Sequence, residues 1–380
     1  MVNSNANALG IIFPNSYDSM VPELVGDRLM ASIPFAGRYR MVDFILSSMV
    51  NSGIDNISLI VRKNYHSLMD HLGSGREWDL TRKNGGLNIV PPFAEKTVKV
   101  YNGRVEALAS ILQFLKSQKE KYVVMADTNL AVNFDFKAFI DAHIASGADV
   151  TMAYTEEMVP ESMLESQASI NSMYYNLDLD GTRVKEIHIN SRAIGLQKMS
   201  MNIYIISREM LINQVREAYI RGYVYMERDI LAPNLDSLNV QAYKYDGYLA
   251  RIRDIRSYFE ENMKLLDEKN LDALFSGGPI YTKIRDDNPT RYINGSKAKN
   301  IMAADGCVIG GEVENSVLFR GVKIGKGAKV KNCVLMQDTV IEAGASVENI
   351  ITDKNVTITF GKEVKGTDTF PVYIAKNQTV

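Results

Sequence analysis

The most constraining stretch of this chain lies in its last third. Three segments match one another there: Val313-Glu-Asn-Ser-Val-Leu, Val330-Lys-Asn-Cys-Val-Leu and Val347-Glu-Asn-Ile-Ile-Thr. They are spaced by 17 residues, and each carries Asn at its third place, as Asn315, Asn332 and Asn349. Two are preceded by Ile-x-x-Gly-Ala, from Ile324 to Ala328 and from Ile341 to Ala345. Aliphatic residues recurring every five or six positions, three turns to a coil, are what a parallel β-helix of hexapeptide repeats needs. Each aliphatic points inward onto the coil below, and each corner is small or Gly. A meander of antiparallel hairpins is the alternative, but it does not require a matched 17-residue period. From about Ile301 onward no helical period interrupts the pattern.

The first two thirds read differently. Strand candidates at Ala8–Pro14, Asn56–Arg62, Tyr122–Met125 and Asp149–Tyr154 alternate with helical spacing over Met41–Ser52, Tyr65–Leu72, Val105–Lys119 and Phe136–Ser146. That alternation predicts a mostly parallel sheet covered on both faces. The chain has 380 residues, more than the ~250–300 that one core supports, so two domains are expected. The boundaries read as 1–280 for the α/β domain, 281–300 for a linker marked by Gly277–Pro279 and Asn288–Pro289, and 301–380 for the solenoid.

Composition narrows the class of partner. Forty-three Lys and Arg stand against 45 Asp and Glu, so neither nucleic acid nor an anionic membrane is expected, since both select net basic surfaces. Cys307 and Cys333 form no metal-ligand pair and are too few for a disulfide scaffold. The N-terminal stretch has no basic region and no segment reaches the ~18 apolar residues of a membrane span. A cytoplasmic location is the expectation.

In an α/β sheet, ligands bind beyond the carboxyl ends of the strands. Backbone N–H groups approach phosphate closely only where side chains are absent, so glycines mark a phosphate cradle. The loop after the first strand reads Pro14-Asn-Ser-Tyr-Asp-Ser-Met-Val-Pro22, and no Gly lies between Gly10 and Gly26. A tight triphosphate cradle is not expected there.

Several blocks nevertheless resemble a known family. Ser32-Ile-Pro-Phe-Ala-Gly-Arg-Tyr-Arg-Met-Val-Asp-Phe44, then Asn51-Ser-Gly-Ile54, His71-Leu-Gly-Ser-Gly and Asn84-Gly-Gly, are similar to the bacterial glucose-1-phosphate adenylyltransferases, or ADP-glucose pyrophosphorylases. Gly147-Ala-Asp-Val-Thr151, Asp229-Ile-Leu-Ala-Pro233, Pro279-Ile-Tyr-Thr282 and Asn315-Ser-Val-Leu-Phe-Arg-Gly321 continue the resemblance in order. It implies a Rossmann-like, GT-A-like nucleotidyltransferase domain followed by a left-handed parallel β-helix. It also implies a tetramer, and the making of ADP-glucose and pyrophosphate from ATP and glucose 1-phosphate for glycogen.

The departures from that family are as telling as the matches. Its Gly-Gly-x-Gly-x-Arg-Leu after the first strand is missing, and Met30 falls where it carries Lys. Its Gly-Thr-Ala-x-Ala reads Gly103-Arg-Val-Glu-Ala107, its Glu-Lys-Pro falls on Ile189-Asn-Ser191, and its Ser-Met-Gly is Ser200-Met-Asn202. Its Gly-Tyr-Trp-x-Asp-Val-Gly is Gly247-Tyr-Leu-Ala-Arg-Ile-Arg253, an acid replaced by a base. Nucleotidyl transfer depends on positioning and on neutralising charge with Mg²⁺, Lys and backbone donors. Each lost donor costs roughly 10²–10³ in rate, so no catalytic set is intact. Gly103, Glu186 and Ser200 would be remnants of the substrate site.

Asp127 and Asp229 match the family's metal-holding aspartates. Mg²⁺ is therefore the one cofactor the resemblance implies; their other reading is as strand-end caps. Arg28, Arg38 and Arg40 fall where the family binds anionic effectors and phosphates, and salt bridges or subunit contacts are the alternative for them. The leading expectation is a regulatory subunit in a heterotetramer with a homologous catalytic subunit, open to a sugar-phosphate or nucleotide effector. The alternative is an active Mg²⁺-dependent sugar-nucleotide pyrophosphorylase with a divergent loop. A hexapeptide-repeat acyltransferase is disfavoured because His66, His71, His143 and His188 all precede the solenoid. His66 and His71, five apart, lack the spacing of a helical zinc pair and read as structural.

Overall fold

A computed structural model of the chain describes residues 6–83, 85–92, 101–159 and 173–380. Asn84, within one of the matched blocks, lies outside them.

The α/β domain is built on one nine-stranded sheet. Its strands are β1 (Ala8–Phe13), β2 (Asn56–Ile60), β3 (Gly86–Val90), β4 (Tyr122–Asp127), β5 (Val150–Val159), β6 (Tyr175–Asp180), β7 (Arg183–Ile189), β8 (Gly195–Ser207) and β9 (Val240–Lys244). Their order is β3-β2-β1-β4-β8-β5-β9-β7-β6. The β1, β2, β3 and β4 strands pair in parallel, as do β5 and β9, whereas β8 runs antiparallel to both its neighbours. The sheet is therefore mixed rather than mostly parallel. The β6–β7 hairpin reverses the chain, and β8 leaves the short link running in the same direction as β7, so it enters between β4 and β5 antiparallel to both.

Helices cover the sheet where the periodicity places them. The first, α1 (Met41–Asn51), starts at a capping box in which the Asp43 carboxylate accepts from the Arg40 N–H at 2.9 Å. A short α2 (His66–Leu72) follows. The expected helix over Val105–Lys119 is broken at Ile111 into α3 (Arg104–Ser110) and α4 (Leu112–Ser117). Then come α5 (Phe136–Ser146), capped by Asp135 and closed by Gly147 at φ +60°, α6 (Arg208–Ile220), α7 (Ile255–Lys264) and α8 (Glu268–Phe275). His71 is buried against Asp43 at 2.6 Å and meets Trp78 edge-on, which is a packing role.

The C-terminal domain is a left-handed parallel β-helix. Its rungs register Val313 on Val330 and Val330 on Val347, the 17-residue period seen as vertical stacking. Asn315, Asn332 and Asn349 stand at φ +45°, +49° and +53°, corners in the left-handed region that Asn tolerates better than other side chains. Asn300, at φ +50°, extends the same ladder and donates to Asn315 Oδ1 at 2.8 Å. The coils accordingly begin within 281–300: Arg291–Tyr292 and Lys297–Ala303 already pair in parallel with later rungs. That first rung has the Asn but a 15-residue offset, so the period misses it. Cys307 and Cys333 are buried, unpaired wall residues, and burial pushes both thiols up.

The two domains share a core. Val317, Phe319, Val334, Met336 and Ile351 of the solenoid pack with Tyr258 and Phe259 of α7 and with Tyr17, Met30 and Phe35. The loop that follows β1 is thus held between the sheet and the solenoid. Among the described residues no helix is long and apolar enough to cross a membrane.

Candidate functional site

The register that sets Phe13 beside Asp127 brings the loop after β1 against the end of β4. The cleft beyond these strand ends is lined by Ser16, Tyr17, Gly103, Arg104, Asp127 and Glu227, among others. Both Asp127 oxygens are occupied. Oδ1 accepts from the Ser16 hydroxyl at 2.7 Å, and Oδ2 accepts from Arg104 Nη2 at 2.5 Å. The other guanidinium nitrogen, Nη1, donates to Glu227. Arg104 lies against the rings of Phe13 and Tyr204, at 5.3 and 5.1 Å from their centroids. Burial works against the charged guanidinium, but the Asp127 carboxylate more than offsets this and raises its affinity for its proton.

The glycine-free loop is a packed cover. Asp18 accepts from Asn15 Nδ2 and from the Met30 N–H, both at 2.7 Å. Tyr17, Met20, Val21, Leu24 and Met30 are buried. Asn202 sits at φ +55° and donates to the Tyr17 hydroxyl oxygen, so two positions that depart from the family signature lock onto each other. About 90 Å³ remains between the described residues of the cleft, against the ~300–1,000 Å³ of ordinary small-molecule pockets.

A second cluster of charge sits beside the cover. Arg251 donates to Glu157 at 2.7 Å and to the Ser200 carbonyl at 3.1 Å, and Arg253 donates to Glu157 at 2.7 Å. Burial alone would raise the Glu157 carboxyl. The two arginines outweigh it and hold it at about 2.

At the domain junction a cavity of about 390 Å³ is lined by Arg38, Arg40, Lys283, Arg285, Arg320 and Lys354, with Asp70 and Asp338 as the acids. Burial, then Arg40 and Arg28, pull Lys354 down to about 7. Burial also pulls Arg40 down to about 10. Arg320 Nε is buried with no hydrogen-bond partner among the described residues.

Residues 27–162 match the family described as Nucleotidyl transferase, and residues 284–369 match the GlmU-like C-terminal hexapeptide family. The chain is 37% identical over 331 residues to "Glycogen biosynthesis protein GlgD" of Geobacillus stearothermophilus, covering 85% of this chain and 83% of the relative. The protein of the same name from Bacillus subtilis is 32% identical over 325 residues, covering 85% and 82%. The "Glucose-1-phosphate adenylyltransferase" of G. stearothermophilus is 31% identical over 326 residues, covering 84% and 82%. The chain belongs to the glucose-1-phosphate adenylyltransferase family.

Set against the signature of the glucose-1-phosphate adenylyltransferases, the expected site residues scatter. Asp127 lies in the cleft, but Asp229 does not line it. Asp229 accepts from the Val224 and Tyr225 N–H groups, both at 2.9 Å, and from Arg228 at 2.6 Å. It caps a turn, and despite some burial those donors lower its carboxyl. Gly103 lines the cleft and caps α3, where a Cβ would stand 2.3 Å from the Val224 carbonyl oxygen. Ser200 is buried, with its hydroxyl accepting from the Asn202 N–H at 3.1 Å. Glu186 is exposed on β7 beside Asp178 and His188, away from the cleft.

Of the three arginines, Arg38 and Arg40 share one cavity and Arg28 does not. Arg28 is buried on Asp353 of the solenoid at 2.7 Å. Arg40 donates to the Ser67 carbonyl at 2.7 Å and lines the junction cavity with Arg38. Arg38 is half exposed and 3.8 Å from Asp305.

The residues around Asp127 do not fit Mg²⁺. This ion demands near-octahedral oxygen ligands and retains several waters, whereas the buried Asp127 oxygens already serve Ser16 and Arg104. Sequence reasoning noticed what the Gly103–Ala107 block lost, a hydroxyl, and passed over what it gained, the Arg104 guanidinium. Glu227 and Glu157 carry no motif of their own, so nothing along the chain marks them.

Proposed function

We propose that this chain is a regulatory, non-catalytic subunit of ADP-glucose pyrophosphorylase in glycogen biosynthesis. It would act in the cytoplasm, in a heterotetramer with a homologous subunit that makes ADP-glucose from ATP and glucose 1-phosphate. The observation that carries this reading is the Arg104–Asp127 pair, an internal cation on a cleft carboxylate that matches the family's metal-holding aspartate. The packed cover over the cleft supports it, as does the identity to two relatives named for glycogen biosynthesis.

Regulation in this reading works through the junction cavity, whose cations suit a phosphorylated sugar or a nucleotide. Both domains contribute to its wall. An anion that binds one arrangement of the domains more tightly than another shifts their population, and no effect follows without that difference.

The test is the rate of ADP-glucose synthesis by this chain alone, by the homologous catalytic subunit alone, and by their mixture, across a series of phosphorylated effectors. The chain alone is expected to be inactive, and the mixture to differ from the catalytic subunit in rate or effector response. A mixture that equals the catalytic subunit at every effector concentration rejects the regulatory role. Synthesis by the chain alone supports instead an active enzyme with a divergent loop.

A further inference from the structure

We propose that Arg104 is a tethered replacement for a divalent cation, and that Asp127 and Glu227 form a latent metal site which opens only when Arg104 is withdrawn. Both carboxylates are buried and converge on one guanidinium, Asp127 on Nη2 and Glu227 on Nη1. Two buried carboxylates without a counter-charge are costly to keep ionised, so they stay charged together only if a cation stands between them and otherwise take up a proton. The guanidinium satisfies their hydrogen-bonding needs in a fixed fork. A divalent ion could satisfy the same pair with greater charge.

The geometry shows why Arg104 cannot yield to an ion in solution. Its backbone is pinned because Gly103 packs against the Val224 carbonyl and the Val105 N–H donates to that same oxygen at 3.1 Å. Its guanidinium is held against Phe13 and Tyr204. Glu227 begins the π-helical turn just beyond Val224, so both ends of the Arg104–Glu227 bridge belong to one rigid corner. Displacing the guanidinium would strand a buried cation as well as expose two acids. The intact chain is therefore indifferent to divalent metal in this cleft.

This inference rests on the non-catalytic reading but fails separately from it. ADP-glucose synthesis by the chain alone would sink that reading; failure of both Arg104 variants to bind Mn²⁺ would sink only this one.

The experiment titrates Mn²⁺ into the full chain, its Arg104→Thr and Arg104→Gln variants, and the Asp127→Asn and Arg104→Thr/Asp127→Asn chains. Bound ion is read from loss of the free Mn²⁺ paramagnetic resonance signal, and fold from circular dichroism and melting temperature. The wild-type chain should bind no Mn²⁺ that Asp127→Asn abolishes. Arg104→Thr should bind about one equivalent at least tenfold more tightly than the wild type and melt higher as Mn²⁺ is raised. The added Asp127→Asn should remove both effects. Arg104→Gln keeps more of the packing between the rings, and folding of either variant only with Mn²⁺ also supports the proposal. Wild-type binding that depends on Asp127 overturns it. So does a failure of both Arg104 variants to bind Mn²⁺, whether as folded proteins or as chains that Mn²⁺ cannot rescue.

Discussion

Arg28 spans the junction between the two domains, its Nη2 donating to both carboxylate oxygens of Asp353 at 2.7 and 2.8 Å, with both side chains buried. The Tyr373 hydroxyl donates to the same carboxylate at 3.0 Å. Breaking a buried pair by removing one partner leaves an uncompensated charge and costs ~3–5 kcal/mol. Arg28→Met should lower the urea midpoint accordingly, while Arg28→Met with Asp353→Leu should recover most of the loss. A single variant as stable as the wild type would show that the pair does not fasten the solenoid.

Glu157 links stability to acid. Its folded carboxyl is held near 2 against an ordinary 4.5, so its contribution is fully present above about 4.5 and declines as pH falls toward 2. The size is on the order of 3 kcal/mol at neutral pH. Glu157→Gln should be destabilised by that order at neutral pH and converge on the wild type in strong acid. Urea midpoints measured against pH for both chains check this; parallel curves would mean that Arg251 and Arg253 contribute nothing through Glu157.

Lys354 makes anion binding at the junction depend on pH. It is held near 7 by burial and by Arg40 and Arg28, with Asp353 opposing them, so it gains its charge as pH falls through about 7. Sulfate keeps the same charge over that range and is the suitable probe. Its affinity should be greater at about pH 6 than at about pH 8. Lys354→Met should weaken binding and flatten the dependence. His71 also lines the cavity, but burial lowers it from its ordinary value. A dependence that survives Lys354→Met would assign the effect to His71.

The asparagine corners of the solenoid need the left-handed conformation. Asn332 at φ +49° should tolerate Gly with little change, whereas Ala should cost ~1–2 kcal/mol. Thermal melting of Asn332→Gly and Asn332→Ala distinguishes the two. Equal melting temperatures would show that the corner relaxes.

The β-helix was legible because its signal is local and periodic: an inward aliphatic and a left-handed Asn recur in the successive coils of Asn315, Asn332 and Asn349. The first rung escaped because its offset, Asn300 to Asn315, is two residues short of the period. Asp127 was legible as the end of a strand. Asp229 was legible only as two alternatives, metal ligand or cap, because the motif around it does not tell whether a carboxylate faces the cleft or caps its own turn.

The sequence by itself determined the two-domain plan, the family and the absence of a glycine cradle, since each is written in residues close together along the chain. Only the tertiary structure decided which charges meet in the cleft and at the domain junction. Arg104 meets Asp127 and Glu227, Arg251 meets Glu157, and Arg28 meets Asp353. These partners lie between 23 and 325 positions apart. Charges so distant in sequence pair only because packing leaves a buried ion no other stable arrangement, and that constraint has no trace along the chain.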